Sequence, residues 1–401
     1  RVLALAYKQA SESKTDPYED LVFVGLTGMI DPPRKKVRPS IEKSHQAGIE
    51  IKMITGDQPN TALSVAKSVK LIESTDTKVL TGSNLASSDT ISDEDREKWL
   101  ETFVFARTTP EQKLDLIKVH QDRGSVVAMI GDGVNDAPAL KKADIGVAMG
   151  QRGTQVAKEA SDMILTDDEF ASIVLAVQQG RNIFQNIRKF VLYLISCNIA
   201  EVLIVGIASL INLTITITPL QILYLNLITD VFPALALGVG KGDETVMKKP
   251  PRPPDEPIMT NFHWLETGLY GLIITVVTLL TFTASLRIFE FSIEFAVTIA
   301  FLTLAFDQLF HVFNMRSRRS PLVKNEISKN IWIWLALLLS GSLLIVPIYV
   351  PVLANLLSLE YPRFQGYLII LIGTMVPLIL GQISKLKLFD QLRDKIEETL
   401  K

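Results

Sequence analysis

Cysteine is nearly missing. Cys197 stands alone in 401 residues, so the chain can form neither an internal disulfide nor a cysteine-cluster metal site. An excess of one charge is missing too, with 41 Lys and Arg against 43 Asp and Glu, a net of −2. Without a basic excess, nucleic acid is not an expected partner, and without a long acidic tail neither is disorder. The opening Arg1-Val2-Leu3 contains no Met and no signal-peptide pattern, which leads us to expect a fragment. Charge is also scarce in one half. Residues 1–189 hold 25 basic and 27 acidic side chains, residues 190–401 only 16 of each. The first half has the composition of a soluble globular domain, and the second is too poor in charge for one.

Long apolar runs fill that second half. A helix crosses a bilayer with about 20 mostly apolar residues. Six segments qualify or nearly so: 190–211, 217–238, 268–286, 295–313, 331–353 and 367–382. Their connections alternate in charge. Lys241, Lys248, Lys249 and Arg252 follow the second run. Arg316, Arg318, Arg319, Lys324 and Lys329 follow the fourth, and Lys385, Lys387, Arg393, Lys395 and Lys401 the sixth. The other loops carry none, Arg287 alone, or Arg363 alone. The positive-inside rule makes the basic side cytoplasmic. Arg181, Arg188 and Lys189 precede the first run, so the soluble half is expected on that side too. The competing reading, core helices of a soluble protein, does not account for the charge alternation.

The first half alternates short apolar strands with polar helical stretches. Strands are expected over 21–26, 49–54, 103–106, 125–130, 145–148 and 162–165, and helices over 37–47, 60–70 and 111–121. Residues 83–96 read as a polar loop with a short helix. This alternation predicts an α/β fold with a parallel sheet, with ligands at the carboxyl ends of its strands.

Three places there suit phosphate chemistry. Thr55-Gly56-Asp57 follows a strand. Gly56 permits a tight turn, and Thr55 can offer a hydroxyl and an N–H at a helix N-terminus. Lys113 lies early in a helix and could neutralise a phosphoryl oxygen. Gly131-Asp132-Gly133-Val134-Asn135-Asp136 follows another strand. Asp132 there could hold Mg²⁺, with Asn135 and Asp136 behind it. Thr-Gly-Asp alone also fits an ordinary turn, and Lys113 alone a solvated helix; the six-residue run is hard to assign to a plain turn.

Carboxylates inside an apolar span cost about 2.5–3.5 kcal/mol on insertion scales, so Glu201 and Asp230 need a reason. Asn198 and Glu201, three apart, share a helix face. Asn226, Thr229 and Asp230 share another. A connection near 212–216 makes the two spans antiparallel neighbours, whose polar faces could meet. Pro233 removes a backbone N–H and can free a carbonyl. These oxygens, with two negative charges, suit a hard cation such as Ca²⁺. The alternative is helix–helix hydrogen bonding by protonated acids. His311 and Cys197 read as packing residues, and Glu266 as reaching the interface.

Thr55-Gly56-Asp57 and 131–140 (GDGVNDAPAL) resemble the haloacid dehalogenase-like (HAD-like, Rossmannoid) phosphorylation domain of P-type ATPases. Asp31-Pro32-Pro33-Arg34 is similar to the family's return hinge. Asn198-Ile199-Ala200-Glu201 and Asn226-Leu227-Ile228-Thr229-Asp230 resemble the calcium-pump pattern of the fifth and sixth transmembrane helices. The resemblance implies a nucleotide-domain remnant at 1–20, an incomplete HAD-like domain and stalk at 21–189, and a six-helix all-α membrane domain at 190–401. It also implies ATP and Mg²⁺ as cofactors and Ca²⁺ as cargo. Asp132 would hold Mg²⁺, Thr55 and Lys113 would balance phosphoryl charge, Asn135 would hydrogen-bond the phosphoryl group, and Asp136 would organise the loop. Gly56, Asp57 and Arg107 would lie near the nucleotide or the phosphorylation site. Gln308 falls where calcium pumps of this group have a further glutamate, which implies a weakened second site unless Asp307 turns inward. The family's Asp-Lys-Thr-Gly-Thr run does not occur here, and the actuator domain, four earlier helices and most of the nucleotide domain have no counterpart. The expectation is an inactive piece of an ATP-driven pump whose N-terminal part is missing. The other readings are a Na⁺ or Mn²⁺ pump, a membrane-tethered HAD-type phosphatase, and a non-catalytic membrane-interaction protein.

Overall fold

A computed structural model describes residues 2–8, 16, 18–29, 32–73, 79–213, 217–242, 244–318, 320–386, 395–396 and 399. Asp31, Arg319, Lys387, Arg393 and Lys401 lie outside the described residues, as does part of 1–20. The chain divides into two units, Arg1–Val174 and Leu175–Lys401.

The first unit begins with β1 (Val2–Tyr7) and β2 (Val22–Gly28), paired antiparallel. Then follow α1 (Val37–Gln46), β3 (Met53–Thr55), α2 (Pro59–Ser68), β4 (Val79–Thr81), α3 (Asp93–Glu101), β5 (Val104–Ala106) and α4 (Pro110–Asp122). The unit continues through β6 (Ala128–Gly131), α5 (Ala137–Lys142), β7 (Ile145–Met149), α6 (Gln155–Glu159) and β8 (Met163–Leu165). Parallel pairing gives two three-stranded sheets, β3-β5-β4 and β6-β7-β8. β5 is fully buried between its neighbours, as an apolar central parallel strand should be.

Several expectations need correction. The strand expected at 21–26 is not in a parallel sheet; it pairs with β1, and nearly every residue of this two-stranded ribbon is exposed. A parallel sheet was expected, and the described parallel strands form two, beside the antiparallel β1-β2 ribbon. Residues 49–52 are not strand, so only the end of that run, Met53–Thr55, finds a partner in β5. The short helix read within 83–96 is α3, which runs on to Glu101; Ser92 caps it by accepting from the Asp95 N–H at 3.2 Å. α4 starts where Thr109 and Gln112 cap each other and Pro110 takes the first turn.

The second unit is helical. α7 (Phe170–Leu210) is one uninterrupted helix of 41 residues. α8 (Pro219–Leu225) and α9 (Val231–Gly238) flank a π-helical turn at Asn226–Asp230. α10 (Asn261–Arg287), α11 (Ile293–His311), α12 (Ile331–Tyr349), α13 (Pro351–Leu356) and α14 (Phe364–Ser384) complete it. Six of these segments are long and apolar enough to cross a membrane. The fourth, Ile293–Met315, is the central one: 78% of its span is buried, against 33% for the fifth and sixth. The fifth expected span stops at Tyr349, because Val350 leaves the helical region and Pro351 starts a new helix.

Candidate functional site

In the first unit the strand ends carry the polar residues. Thr55 closes β3. Its hydroxyl accepts from the Asp57 N–H at 3.1 Å, and its carbonyl accepts from the N–H and hydroxyl of Thr108, both at 3.3 Å. Arg107 adopts φ 55° beside them, and its N–H donates to the Asp57 carbonyl at 3.2 Å. Thr108 leads into α4, and from α4 Lys113 reaches Asp136 at 2.5 Å. Asp136 is buried, and its other oxygen accepts from the N–H groups of Asp132 and Gly133 at 3.3 and 3.1 Å. Asp136 therefore organises the loop, while Asp132 and Asn135 stay exposed above it. Gly131 is required here: a Cβ would stand 2.5 Å from that of Asp136.

Thr55, Gly56, Asp57, Arg107 and Lys113 are thus tied through two short loops to the run containing Asp132. Lys113 is held by Asp136, which engages its charge. Two residues were not foreseen. Thr154 donates its N–H to the Asp132 carbonyl at 2.8 Å. Asp168 accepts from the Gln151 and Arg152 N–H groups, both at 2.9 Å, and the Gln151 N–H leads in holding its carboxyl below the usual range. Arg34, from the expected hinge, donates to the Asp168 carbonyl at 2.5 Å.

In the second unit Glu201 and Asp230 are both buried, 6% and 7% exposed. Glu201 accepts from the Gln308 amide at 2.9 Å, and the Asn226 amide, turned so that its nitrogen faces the carboxylate, donates to both Glu201 oxygens at 3.0 and 3.1 Å. The Thr229 hydroxyl lies 2.9 Å from the other end of Gln308 and 3.4 Å from Asp230. Glu201, Asn226, Thr229 and Asp230 therefore converge, with Gln308 fastening the first to the third. Asn198 does not join them. It is exposed and donates to the Leu194 carbonyl of its own helix at 2.8 Å, although three-residue spacing put it on the Glu201 face.

The helix carrying Asp230 also departs from the expected regular face. Pro233 has no N–H for the Thr229 carbonyl four residues earlier; the Tyr193 hydroxyl donates to it instead, at 2.7 Å. Ser340 does the same for the Ile228 carbonyl at 2.7 Å. A π-turn at a ligand-bearing position needs such outside donors. The proline was the only signal of this in the sequence; Tyr193 and Ser340 carried none.

Comparison with known proteins fits this division. Residues 3–144 and 114–177 match two family profiles described as haloacid dehalogenase-like hydrolase. Residues 214–387 match that of "Cation transporting ATPase, C-terminus". The chain is 40% identical to Calcium-transporting ATPase 1 of Bacillus cereus over 404 residues, covering 96% of this chain and 45% of that protein. It is 43% identical to the Calcium-transporting ATPase of Bacillus subtilis over 356 residues, 88% of this chain and 39% of the other. With Calcium-transporting ATPase 1 of Yarrowia lipolytica it shares 46% over 291 residues, 72% and 31% of the two. The chain spans somewhat under half the length of the curated relatives it matches.

Proposed function

We propose, from the chain's kinship with the calcium-transporting P-type ATPases, that it is part of an ATP-driven pump that moves Ca²⁺ across a membrane. The convergence of Glu201, Asn226, Thr229 and Asp230 inside an apolar helix bundle carries this reading. Two carboxylates with neutral oxygens suit a hard divalent cation, which takes six to eight oxygen ligands. Further ligands would come from carbonyls, water or helices outside this sequence. Asn198 stays a weaker candidate.

The exposed Asp132 carboxylate and Asn135 amide offer hard oxygen donors at a loop whose shape Asp136 fixes, which suits Mg²⁺. Mg²⁺ and ATP supply the phosphoryl group and its charge balance when bound. Thr55 and Asn135 would hydrogen-bond the phosphoryl oxygens. Lys113 would lend charge while held by Asp136, and Gly56, Asp57 and Arg107 would flank the nucleotide. The chain has no Asp-Lys-Thr-Gly-Thr run, so this reading assigns it the surroundings of the phosphoryl group and not the nucleophile. The HAD-like unit lies on the cytoplasmic side in this reading, with the basic loops.

Ion-dependent ATP hydrolysis and ion uptake by the full-length protein test the reading. Stimulation by Ca²⁺ at the lowest concentration supports it. Stimulation by Na⁺ or Mn²⁺ and not by Ca²⁺ overturns the choice of cargo, and phosphate-ester hydrolysis with no ion uptake favours the phosphatase.

A further inference from the structure

α12 carries no charged side chain, yet it bonds to the turn that holds three of the four converging side chains, Asn226, Thr229 and Asp230. The contact is made by Ser340, which is fully buried and donates its hydroxyl to the Ile228 carbonyl at 2.7 Å. Ser342, two residues on, turns back instead to the Leu338 carbonyl of its own helix.

The position of Pro233 explains why Ile228 needs an outside donor. In an α-turn a carbonyl accepts from the N–H four residues on, in a π-turn from the N–H five residues on. For Ile228 the α-partner is Phe232, and the π-partner is Pro233, which has no N–H. A regular α-helix through Asn226–Asp230 would therefore satisfy Ile228 within its own span, and the observed π-turn does not. Thr229 is different. Its α-partner is Pro233, so its carbonyl lacks that donor in the regular helix as well, and the Tyr193 hydroxyl serves it without favouring the π-turn. Of the two outside donors, Ser340 is the one that stabilises the π register over the α register.

Two further bonds join the same spans. Pro347 deprives the Leu343 carbonyl, four residues earlier on α12, of its in-helix donor, and the Tyr224 hydroxyl of α8 donates to it instead. Each span thus fills a gap that a proline leaves in the other. Asn330, which precedes α12, donates to the Ala236 carbonyl of α9 at 2.8 Å. α12 is therefore bonded before the turn, at it and after it, and so fixes how α8 and α9 are rotated about it. The extra residue of a π-turn is worth up to about 100° of such rotation. Asn226 stands at the start of the turn and Asp230 at its end, so the register decides whether the two converge with Glu201.

We propose that Ser340 is a positioning residue: it selects the π register of Asn226–Asp230 and thereby sets the affinity of the Glu201–Asp230 cluster for its cation. Without the hydroxyl, Ile228 is orphaned in the π-turn and satisfied in the α-helix. The turn then reverts to α-helix, Asn226 swings away from Asp230, and the cluster loses a ligand. A buried carbonyl left without a donor biases such an equilibrium about 5- to 150-fold. The effect on affinity rests on the reading of the cluster as a cation site; the choice of register does not.

The test compares Ser340→Ala with Tyr224→Phe in the full-length protein in lipid nanodiscs, since each removes one hydroxyl from the same pair of spans. Electron cryomicroscopy without Ca²⁺ reads the turn, and equilibrium dialysis reads Ca²⁺ binding. Ser340→Ala should convert Asn226–Asp230 to regular α-helix and weaken Ca²⁺ binding about tenfold or more. Tyr224→Phe, whose carbonyl partner is orphaned by Pro347 in either register, should keep the π-turn and change binding by less than about twofold. Ser340→Cys, with its weak thiol donor, serves with the same expectation if Ser340→Ala does not fold. A π-turn kept in Ser340→Ala overturns the proposal. Equal losses of affinity in the two variants also overturn it, because they are the mark of a packing contact alone. A register that changes while Ca²⁺ binding stays intact, or an unaltered protein that binds no Ca²⁺, counts instead against the cluster as a calcium site and leaves the role of Ser340 in the register standing.

Discussion

In Arg1–Val174 the polar candidates stand on loops at strand ends, and Asp132 and Asn135 face solvent. In Leu175–Lys401 the corresponding side chains, Glu201 and Asp230, are buried on helices. The residue types are the same, yet different parts of the chain hold them. The loop of the first unit is shaped by backbone N–H groups donating to Asp136. In the second unit Glu201 and Asp230 stand on helices whose backbone groups bond within the helix, so side chains from other helices do the fastening. Gln308 holds Glu201, and Tyr193 and Ser340 take the carbonyls that the π-turn releases. An exposed site can wait for its ligand in water; a buried one must be satisfied without it.

This contrast can be broken by mutation. In the full-length protein, Asp132→Ala should lower Mg²⁺-dependent phosphorylation about 10²–10³-fold, a loss typical of one well-placed electrostatic group. Thermal stability should hardly change, because Asp132 is exposed. Normal phosphoenzyme levels in this variant would remove the Mg²⁺ role. Glu201→Gln should weaken Ca²⁺ binding about a hundredfold, read by equilibrium binding, since a buried charge loses its counterpart. Unlike Asp132→Ala, it should leave phosphorylation from inorganic phosphate intact.

Smaller effects sharpen the comparison. Lys189 and Glu326 form an ion pair at 3.0 Å, with side chains 13% and 11% exposed. Burial pushes the Glu326 carboxyl up, but the Lys189 charge and the Ser317 N–H outweigh it and bring it down to about 2. Glu326 therefore contributes stability above its ordinary value of 4.5, and this is lost as pH falls from there toward about 2. Glu326→Gln should cost about 3 kcal/mol at neutral pH and flatten that acid-side loss, measured by thermal unfolding across pH. An unchanged acid profile would contradict the assignment. Tyr193→Phe orphans the carbonyl freed by Pro233 and should cost about 1–3 kcal/mol. Asn198→Ala should change Ca²⁺ affinity by less than about twofold and stability by less than about 0.5 kcal/mol. A large loss of affinity there would return Asn198 to the ligand set and show that its exposed face is completed by other helices.

The order of elements was legible because periodicity and apolar run length are local properties. Six spans, the strand ends bearing Thr55 and Asp132, and the buried pair Glu201 and Asp230 all follow from spacing and composition. Strand pairing did not. Whether Leu21–Leu26 joins a parallel sheet or the β1 ribbon depends on a partner distant in sequence, and the apolar pattern is the same for both. Nor could a helical wheel settle Asn198, because an asparagine can turn back to its own helix at no cost in spacing.

Sequence by itself determined which segments leave water and which residues carry charge there, since burial of apolar area and the cost of a buried carboxylate act on each residue where it stands. Tertiary structure alone decided which of those groups meet. Glu201 gained Asn226 and Gln308, Asn198 was left outside, and Asp307 was enclosed apart from both. Hydrogen bonds depend on distances of a few tenths of an ångström between helices, and those distances are fixed only when the helices pack.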